Sequence, residues 1–253
     1  MGKKIAIVNQ KGGVGKSTTA VNLGACMAEK GKSVLLIDID PQGNATSGVG
    51  IDKSNLEHSV YDVLIGGVAI RSVIRETNIE QLSILPANID LAGAEIELVS
   101  MISRESRLTR IVEEIINDFD YIFYDCPPSL GLLTVNALTA ANSIIVPIQC
   151  EYYALEGLGQ LVKTIDLVQN NLNPDLKIEG VLLTMYDART NLSQQVIEEV
   201  KKYFQEKVYN TIIPRNVRLS EAPSFGKPII LYDPNSKGAI AYRDLAKEVA
   251  DNE

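Results

Sequence analysis

A glycine-rich stretch near the start of the chain, VNQKGGVGKST at 8–18, contains the residue types that bind phosphate. It follows an apolar run at 3–9 and precedes a helical pattern, so successive backbone N–H groups and a helix N-terminus would converge on one anion. Its glycines permit backbone conformations and a close approach that a Cβ would obstruct. The ammonium of Lys16 would reach the β- and γ-phosphates of a nucleotide, and the hydroxyl of Ser17 would bind Mg²⁺ directly. The nucleotide-binding residues predicted in this stretch are Lys11, Gly12, Gly13, Val14, Gly15, Lys16, Ser17 and Thr18.

Carboxylates follow two of the predicted buried strands. The strand at 33–38 runs into LLIDIDPQGN, which puts Asp38 and Asp40 at the carboxyl end of a sheet, where open α/β folds bind ligands. The two side chains leave the strand on the same face, because side chains alternate with a period of two. The strand at 121–125 ends in Asp125, which fits the acid that holds a Mg²⁺-bound water beside the loop serine. For Asp38 two roles stay open, a direct part in the chemistry and support of the following turn.

The elements that would position these groups alternate along the chain. Short apolar runs followed by longer helical patterns predict an α/β fold with a mostly parallel, twisted sheet of about seven to eight strands and helices on both faces. No linker, repeat or low-complexity tract divides the chain, so 1–253 is predicted to be a single domain. Strands are predicted at 3–9, 33–38, 82–87, 121–125, 143–148, 178–186 and 208–213. Helices are predicted at 17–30, 91–100, 105–117, 131–141, 155–172, 193–206 and 238–250. In the last helix, the apolar residues with helical spacing are Ile240, Ala241, Leu245, Ala246 and Val249.

Composition restricts the functional classes. An apolar content of 45% over 253 residues is enough for a sizeable core, and a net charge of −8 argues against a protein that coats nucleic acid over its whole surface. Neither a secretory signal nor an apolar run of membrane-spanning length is seen, which predicts a cytoplasmic protein. Cys26, Cys126 and Cys150 are far apart in sequence and form no C-x-x-C pair, so they are predicted to be buried rather than bridged or metal-bound.

The phosphate loop departs from the ordinary G-x-x-x-x-G-K-[ST] pattern, because Gln10 stands where the first glycine is required. Its KGGVGKST resembles instead the loop of the deviant Walker A ATPases, which begins with a lysine. In that family the first lysine crosses a dimer interface to the nucleotide held by the other subunit. The resemblance therefore implies that Lys11 acts in trans and Lys16 in cis, both as catalytic cations. It also implies that Asp40 orients the attacking water, and that Asp40 and Asp125 hold Mg²⁺ through water.

Further segments extend the resemblance over nearly the whole chain, to the ParA family of chromosome-partition ATPases in its short, Soj-type form. They are DIDPQGNATSG, LAGAEIEL, CPPSLGLLTVNALTAA, QCEYYALEGLGQL, LTMYDARTNLS, IPRNVRLSEAPSFGKPI and YDPNSKGA. The resemblance implies a single-domain P-loop NTPase that binds ATP and Mg²⁺ and forms a nucleotide-sandwich homodimer. It further implies non-specific binding to double-stranded DNA. ATP hydrolysis would be slow unless it is stimulated by DNA and by the centromere-binding partner ParB, which would act through a short basic peptide at its own N-terminus.

The resemblance also assigns roles that the chemistry of the residues does not demand. Arg189 and Arg218 match family positions implicated in DNA contact, and phosphate contacts of this kind must weaken as salt rises. The residues that would border the adenine are Met185, Asp187, Pro214, Arg215 and Asn216.

Three alternatives share the phosphate loop. A MinD-like membrane-associated cell-division ATPase would need a basic amphipathic C-terminal helix, whereas this chain ends AKEVADNE. A metal-cluster carrier would need cysteines that bridge a dimer, and a small-molecule ligase would couple ATP turnover to a carboxylate substrate. The resemblance favours a cytoplasmic, nucleoid-associated partition protein with no membrane partner and no separate N-terminal operator-binding domain. An additional role in replication or sporulation control stays open.

Overall fold

The centre of the molecule is an eight-stranded sheet, seen in a computed structural model that describes residues 2–151 and 158–251. Its strands are β1 (Lys3–Ile7), β2 (Val34–Asp38), β3 (Arg75–Glu76), β4 (Leu82–Leu85), β5 (Tyr121–Asp125), β6 (Ser143–Gln149), β7 (Lys177–Tyr186) and β8 (Val208–Pro214). Their order across the sheet is β3-β4-β2-β5-β1-β6-β7-β8. All neighbours run parallel except β3, which is antiparallel to β4. The predicted α/β fold with a mostly parallel sheet is confirmed.

Helices cover both faces of this sheet. They are α1 (Lys16–Glu29), α2 (Asn44–Gly48), α3 (Val60–Leu64), α4 (Ile70–Val73), α5 (Leu91–Glu97), α6 (Arg107–Glu113), α7 (Leu132–Ala140), α8 (Leu158–Asn171), α9 (Asn191–Phe204), α10 (Val217–Glu221), α11 (Ile229–Tyr232) and α12 (Lys237–Asp251). Side chains of α3 to α9 contribute to one hydrophobic core, and those of α1, α2 and α10 to α12 contribute to the other. None of the helices in the described ranges is long and apolar enough to cross a bilayer.

The strands are buried on both faces, which explains why they appear as near-continuous apolar runs. In β2, Leu35 and Ile37 belong to the core beneath α3 to α9, whereas Val34 and Leu36 belong to the core beneath α1 and α12. Alternate residues of one strand thus enter different cores, as the period of two requires. Because the strands run parallel, the polar residues that follow them lie together at the carboxyl ends of the strands.

Two predicted helices are longer than the observed ones by three residues or more. The helix predicted at 91–100 ends at Glu97 and continues as a 3₁₀ turn, and the helix predicted at 105–117 ends at Glu113. After Glu113 the N–H of Ile115 donates three residues back instead of four, so apolar residues recur while the α-helical hydrogen bonds have stopped. Apolar periodicity alone cannot locate that change.

The short elements between β2 and β4 and those after β8 are not predicted by the sequence. Helices of four or five residues, such as α4 and α10, contain no complete apolar period that could reveal them. The helix predicted at 155–172 corresponds to α8 from Leu158 onward, and its first residues, 155–157, lie outside the described residues together with 152–154 of the segment QCEYYALEGLGQL.

Candidate nucleotide-binding site

The loop between β1 and α1 adopts a conformation that strongly favours glycine at two points. Gly13 has a φ of 75° and Gly15 a φ of 92°, both in the left-handed region. The carbonyl of Val14, between them, accepts a buried hydrogen bond of 2.9 Å from the hydroxyl of Thr184 on β7. The carbonyl of Gly15 accepts from the N–H of Thr19 at 2.8 Å, which starts α1. The middle and the end of the loop are therefore fixed before any ligand binds.

The beginning of the loop is anchored to β6 by a single buried side chain. Asn9 donates to the carbonyl of Pro147 at 2.7 Å and accepts from the N–H of Lys11 at 2.9 Å. The next residue, Gln10, donates to Gln160 on α8 at 3.0 Å. Lys11 itself is half-buried, and its ammonium makes no hydrogen bond or ion pair within 2–151 and 158–251. The backbone of Lys11 is thus held in place while its charge is left available.

Lys16 is enclosed by the loop and by the ends of the strands. Its side chain is only 7% exposed, and its ammonium donates to the carbonyl of Lys11 at 3.1 Å. Burial lowers the pKa of Lys16, and the negative charges of Asp125 and Asp40 oppose that shift. The loop therefore holds a cation in a poorly hydrated place, where it interacts strongly with any anion.

Asp38 stabilises the turn that follows β2. Its carboxylate accepts from the hydroxyl of Thr46 at 2.7 Å, from the N–H of Thr46 at 2.8 Å and from the N–H of Asp40 at 3.2 Å. The same hydroxyl accepts from the N–H of Ala87, which follows β4. Burial raises the pKa of Asp38 to about 6, although the hydrogen bonds from Thr46 act against the rise. Of the two roles that the sequence leaves open for Asp38, the structure favours support of the turn.

Asp125 lies opposite Asp38 in the pairing of β2 with β5. Both of its carboxylate oxygens are buried without a hydrogen-bond partner in the part of the chain that the structure describes. Burial and the charge of Asp38 raise the pKa of Asp125 well above its usual range. The hydroxyl of Ser17 is close enough to favour the ionised form without completing a hydrogen bond. These residues fit a hydrated Mg²⁺, whose charge and water molecules would supply what the buried carboxylate lacks.

A cavity of about 560 Å³ opens beside the loop, within the size range of about 300–1,000 Å³ typical of small-molecule sites. Asp40 forms part of its wall, and one of its oxygens accepts from the N–H of Gln42 at 2.9 Å. Pro128, from the segment after β5, lines the same cavity. Four further lining residues follow α10 in a segment that sequence reasoning did not assign to the nucleotide. They are Ala222, Pro223, Ser224 and Lys227.

Of the residues predicted to border the adenine, Met185 lines this cavity, whereas Asp187, Pro214, Arg215 and Asn216 do not. Met185 has a φ of 53°, an uncommon conformation for a residue other than glycine. Asn216 caps the helix that follows it, accepting a backbone N–H at 2.9 Å. The contacts of these five residues with a base stay a prediction.

The two arginines predicted to bind DNA are exposed and paired with carboxylates. Arg189 is 86% exposed and donates to both oxygens of Asp187, at 2.9 Å and 2.6 Å. Arg218 donates to Glu221 at 2.9 Å and lies 3.5 Å from Asp233. A DNA phosphate would therefore have to share or displace these carboxylates.

Residues 2–178 match the family model described as an AAA domain. Over 252 residues, covering all of both proteins, the chain is 68% identical to the sporulation initiation inhibitor protein Soj of Bacillus subtilis strain 168. It is 55% identical to the chromosome partitioning protein ParA of Myxococcus xanthus, over 98% of this chain and 88% of that protein.

Solved structures agree with these sequence matches in fold. The cell division ATPase MinD of Pyrococcus furiosus is 27% identical, with a TM-score of 0.81 and full coverage of both chains. Cobyrinic acid a,c-diamide synthase of Mycobacterium smegmatis, solved with a bound ATP analogue and magnesium, is 44% identical. Its TM-score is 0.88, covering 99% of this chain and 95% of that one.

Proposed function

The chain belongs to the Soj/ParA family of chromosome-partitioning ATPases, and on that premise we propose that it is an ATP-dependent DNA-partition switch. In this proposal the protein binds ATP with Mg²⁺, forms a nucleotide-sandwich homodimer and binds double-stranded DNA without sequence preference, which associates it with the nucleoid. It then hydrolyses ATP when DNA and a ParB-type protein stimulate it.

The observation that carries the nucleotide chemistry is the pair of unpartnered buried oxygens on Asp125, close to Lys16 and Ser17. We assign Lys16 to the β- and γ-phosphates, Ser17 to direct contact with Mg²⁺, and Asp40 and Asp125 to contacts through its water molecules. When bound, Mg²⁺ would neutralise charge on the phosphates. The glycine loop would donate backbone N–H groups to them, and Asp40 would orient the attacking water from the cavity wall.

Lys11 is the residue that supports a dimer. Its backbone N–H is held by Asn9, yet its ammonium contacts no acceptor among the described residues. A cation supplied by a second subunit can stabilise the charge that develops on the transferred phosphoryl group, as an arginine finger does in other nucleotide hydrolases. Assembly would then complete the site, and DNA binding would follow because a dimer doubles a modest cationic patch.

Lys11→Ala tests this assignment. We expect ATP binding by the monomer to persist, while the dissociation constant of the ATP-bound dimer rises by about tenfold or more because a desolvated cation is lost from the interface. Light scattering in an Asp40→Ala background, where ATP should survive, measures the dimer, and DNA affinity should fall with it. Lys32→Ala is the control, because Lys32 is a half-buried lysine beyond the far end of α1. A Lys11→Ala protein that dimerises normally would refute the role in trans.

The experiment that tests the whole proposal measures ATP turnover with DNA and a ParB-type protein added separately and together. We expect slow turnover alone and synergy between the two additions. Indifference to both would reject the partition function.

A second candidate is ligase chemistry, favoured by the 44% identity to cobyrinic acid a,c-diamide synthase of Mycobacterium smegmatis. It predicts ATP turnover that depends on a small carboxylate substrate and not on DNA. We prefer the partition function because the identity to Soj, 68% over the full length, is much higher.

The MinD-like alternative predicts binding to anionic lipid through the C-terminal helix. In the structure, α12 uses Tyr242, Leu245 and Val249 to pack into the core beneath α1, so this apolar stripe is already covered. Flotation with vesicles that contain anionic lipid tests this, and ATP-dependent co-flotation would favour the MinD-like function.

A further inference from the structure

Glu95 on α5 accepts two hydrogen bonds from the first turn of the neighbouring helix α7. Its Oε2 accepts from the N–H of Leu132 at 3.0 Å, and its Oε1 accepts from the N–H of Leu133 at 3.3 Å. The helix has no side-chain cap of its own, because Gly131 occupies the N-cap position. A carboxylate at this place satisfies N–H groups that no helical carbonyl can reach, and it interacts favourably with the positive end of the helix dipole.

Gly131 is the residue that leaves room for this carboxylate. A Cβ built on Gly131 would lie 2.5 Å from Oε1 and 2.6 Å from Oε2 of Glu95, much closer than nonbonded atoms approach. The backbone does not itself require glycine there, since the φ of Gly131 is −81°. The glycine and the carboxylate therefore form one contact. Gly131 supplies the space that a Cβ would fill, and Glu95 supplies the acceptor oxygens that cap the helix.

The held turn is connected to the nucleotide cavity through a short segment. Residues 126–131 run from Asp125, at the end of β5, to the start of α7, and Pro128 in this segment lines the cavity. The carbonyl of Ser129, the next residue, accepts from the hydroxyl of Thr134 in the first turn of α7 at 2.6 Å. A shift of that turn would thus be transmitted to the cavity wall beside Asp125.

We propose that Glu95 is a positioning residue for the segment 126–131, which it fixes against the nucleotide by holding the start of α7. This inference rests on the proposed ATPase function. Glu95 contacts α7 and not the cavity, since it is absent from the cavity wall. Its effect on catalysis is therefore indirect, through the placement of Pro128 and of the surroundings of Asp125.

The test compares Glu95→Ala, Gly131→Ala and the double variant, with DNA and a ParB-type protein present. We expect kcat for ATP to fall about tenfold in each single variant while KM changes less than about threefold, since misplaced groups cost more in the transition state than in binding. The double variant should be no slower than either single variant, because both substitutions break the same contact. Glu97→Ala is the matched control, since Glu97 lies two residues further on and accepts from the hydroxyl of Tyr61 instead.

Hydrogen exchange separates this inference from the proposed function. We expect residues 126–134 to exchange faster in ligand-free Glu95→Ala and Gly131→Ala than in the unaltered protein and in Glu97→Ala, and to lose the protection that ATP with Mg²⁺ confers. Either a kcat for Glu95→Ala within about twofold of the unaltered protein or additive losses in the double variant would overturn the proposal. If the unaltered protein hydrolyses no ATP, the proposed function fails, and exchange with bound ATP decides alone: unchanged nucleotide protection in Glu95→Ala would reject the role of Glu95.

Discussion

Charged groups in two regions of the molecule are arranged in opposite ways. At the carboxyl ends of β2 and β5, Lys16, Asp38 and Asp125 are almost completely buried, and Asp125 has no hydrogen-bond partner in the described ranges. On the surface, Arg189 and Arg218 are mostly exposed and already paired with carboxylates. The buried region places unpaired carboxylate oxygens close to a buried lysine, an arrangement that fits a hydrated Mg²⁺ and a phosphate. The surface region is complete as it stands, and binding there would require an exchange of partners.

Replacement of Asp40 in the buried region should lower ATP turnover strongly. Asp40→Asn keeps an oxygen that can accept from the N–H of Gln42 and thus preserves the turn, but it removes the charge that we expect to orient the attacking water. Stimulated ATP turnover should fall by about 10²- to 10³-fold with ATP binding retained, and Asp40→Ala should behave alike. Single-turnover kinetics and nucleotide binding measure the two properties. Normal turnover in both variants would refute the role of Asp40.

The buried carboxylate of Asp38 should make the stability of the protein depend on pH. Asp38 has a folded pKa of about 6 against an ordinary value of 3.8, so the folded protein binds more protons than the unfolded chain between these values. Its contribution to stability is therefore lost as pH rises from about 4 to about 6. The unfolding free energy of Asp38→Asn minus that of the unaltered protein should increase by about 1–3 kcal/mol over this range, measured without nucleotide by urea titration.

The control for that experiment is an exposed carboxylate whose pKa shifts the other way. Hydrogen bonds from the hydroxyl and the N–H of Ser54 lower the pKa of Asp52. Asp52 therefore adds stability at high pH that is lost on acidification, and the difference for Asp52→Asn should become more negative as pH rises. If the difference in unfolding free energy changed with pH in the same direction for both variants, burial would not be the cause of the raised pKa of Asp38.

The placement of the buried groups could be predicted from sequence because chain order determines it. A strand, a glycine loop and a helix in succession place Lys16 and Ser17 at a helix N-terminus, and parallel strands bring their terminal carboxylates to the same edge. The role of Asp38 could not be decided, because it depends on a hydroxyl from Thr46 that only the folded turn brings into contact. Likewise, no local pattern reveals that Glu95 caps α7.

The C-terminal helix shows where periodicity fails. The apolar set proposed from sequence includes Ile240, which is 51% exposed, and omits Ala239 and Tyr242, which are buried. Tyrosine is ambiguous in such patterns, and here the hydroxyl of Tyr242 meets that of Thr19 at 3.2 Å inside the core. The buried face of α12 is therefore rotated toward Tyr242 relative to the face predicted from sequence. Leu245, Ala246 and Val249 are common to both sets and were predicted correctly.

The third prediction concerns the exposed region. Arg189→Ala and Arg218→Ala should each lower the DNA affinity of the ATP-bound protein by about fivefold to tenfold and reduce the slope of log affinity against log salt by about one. Arg71 is an equally suitable exposed arginine, paired with Asp118, that no DNA role is assigned to. Filter binding at several salt concentrations measures all three variants. An equal loss of DNA affinity in Arg71→Ala would show that Arg189 and Arg218 contribute no more than any other exposed arginine.

A substitution beside Arg218 tests whether an ion pair restrains an exposed arginine, and it should change DNA affinity only weakly. Glu221→Gln removes the nearer of the two carboxylate charges beside Arg218 but keeps an acceptor for the hydroxyl of Tyr232, which donates to Glu221 at 3.0 Å. DNA affinity should rise by about twofold to threefold, in keeping with the small energies of exposed ion pairs, and the rise should vanish when Arg218 is also replaced by alanine.

A change in overall charge would produce a similar rise without involving Arg218, so the control must alter net charge equally. Asp244→Asn does so at another exposed pair three residues apart, with Lys247. Because DNA attracts any added positive charge weakly and at long range, both variants share that general contribution. Only the excess of Glu221→Gln over Asp244→Asn reports the release of Arg218. Equal affinities would mean that Glu221 does not restrain the arginine, and that a DNA phosphate could bind Arg218 without displacing this carboxylate.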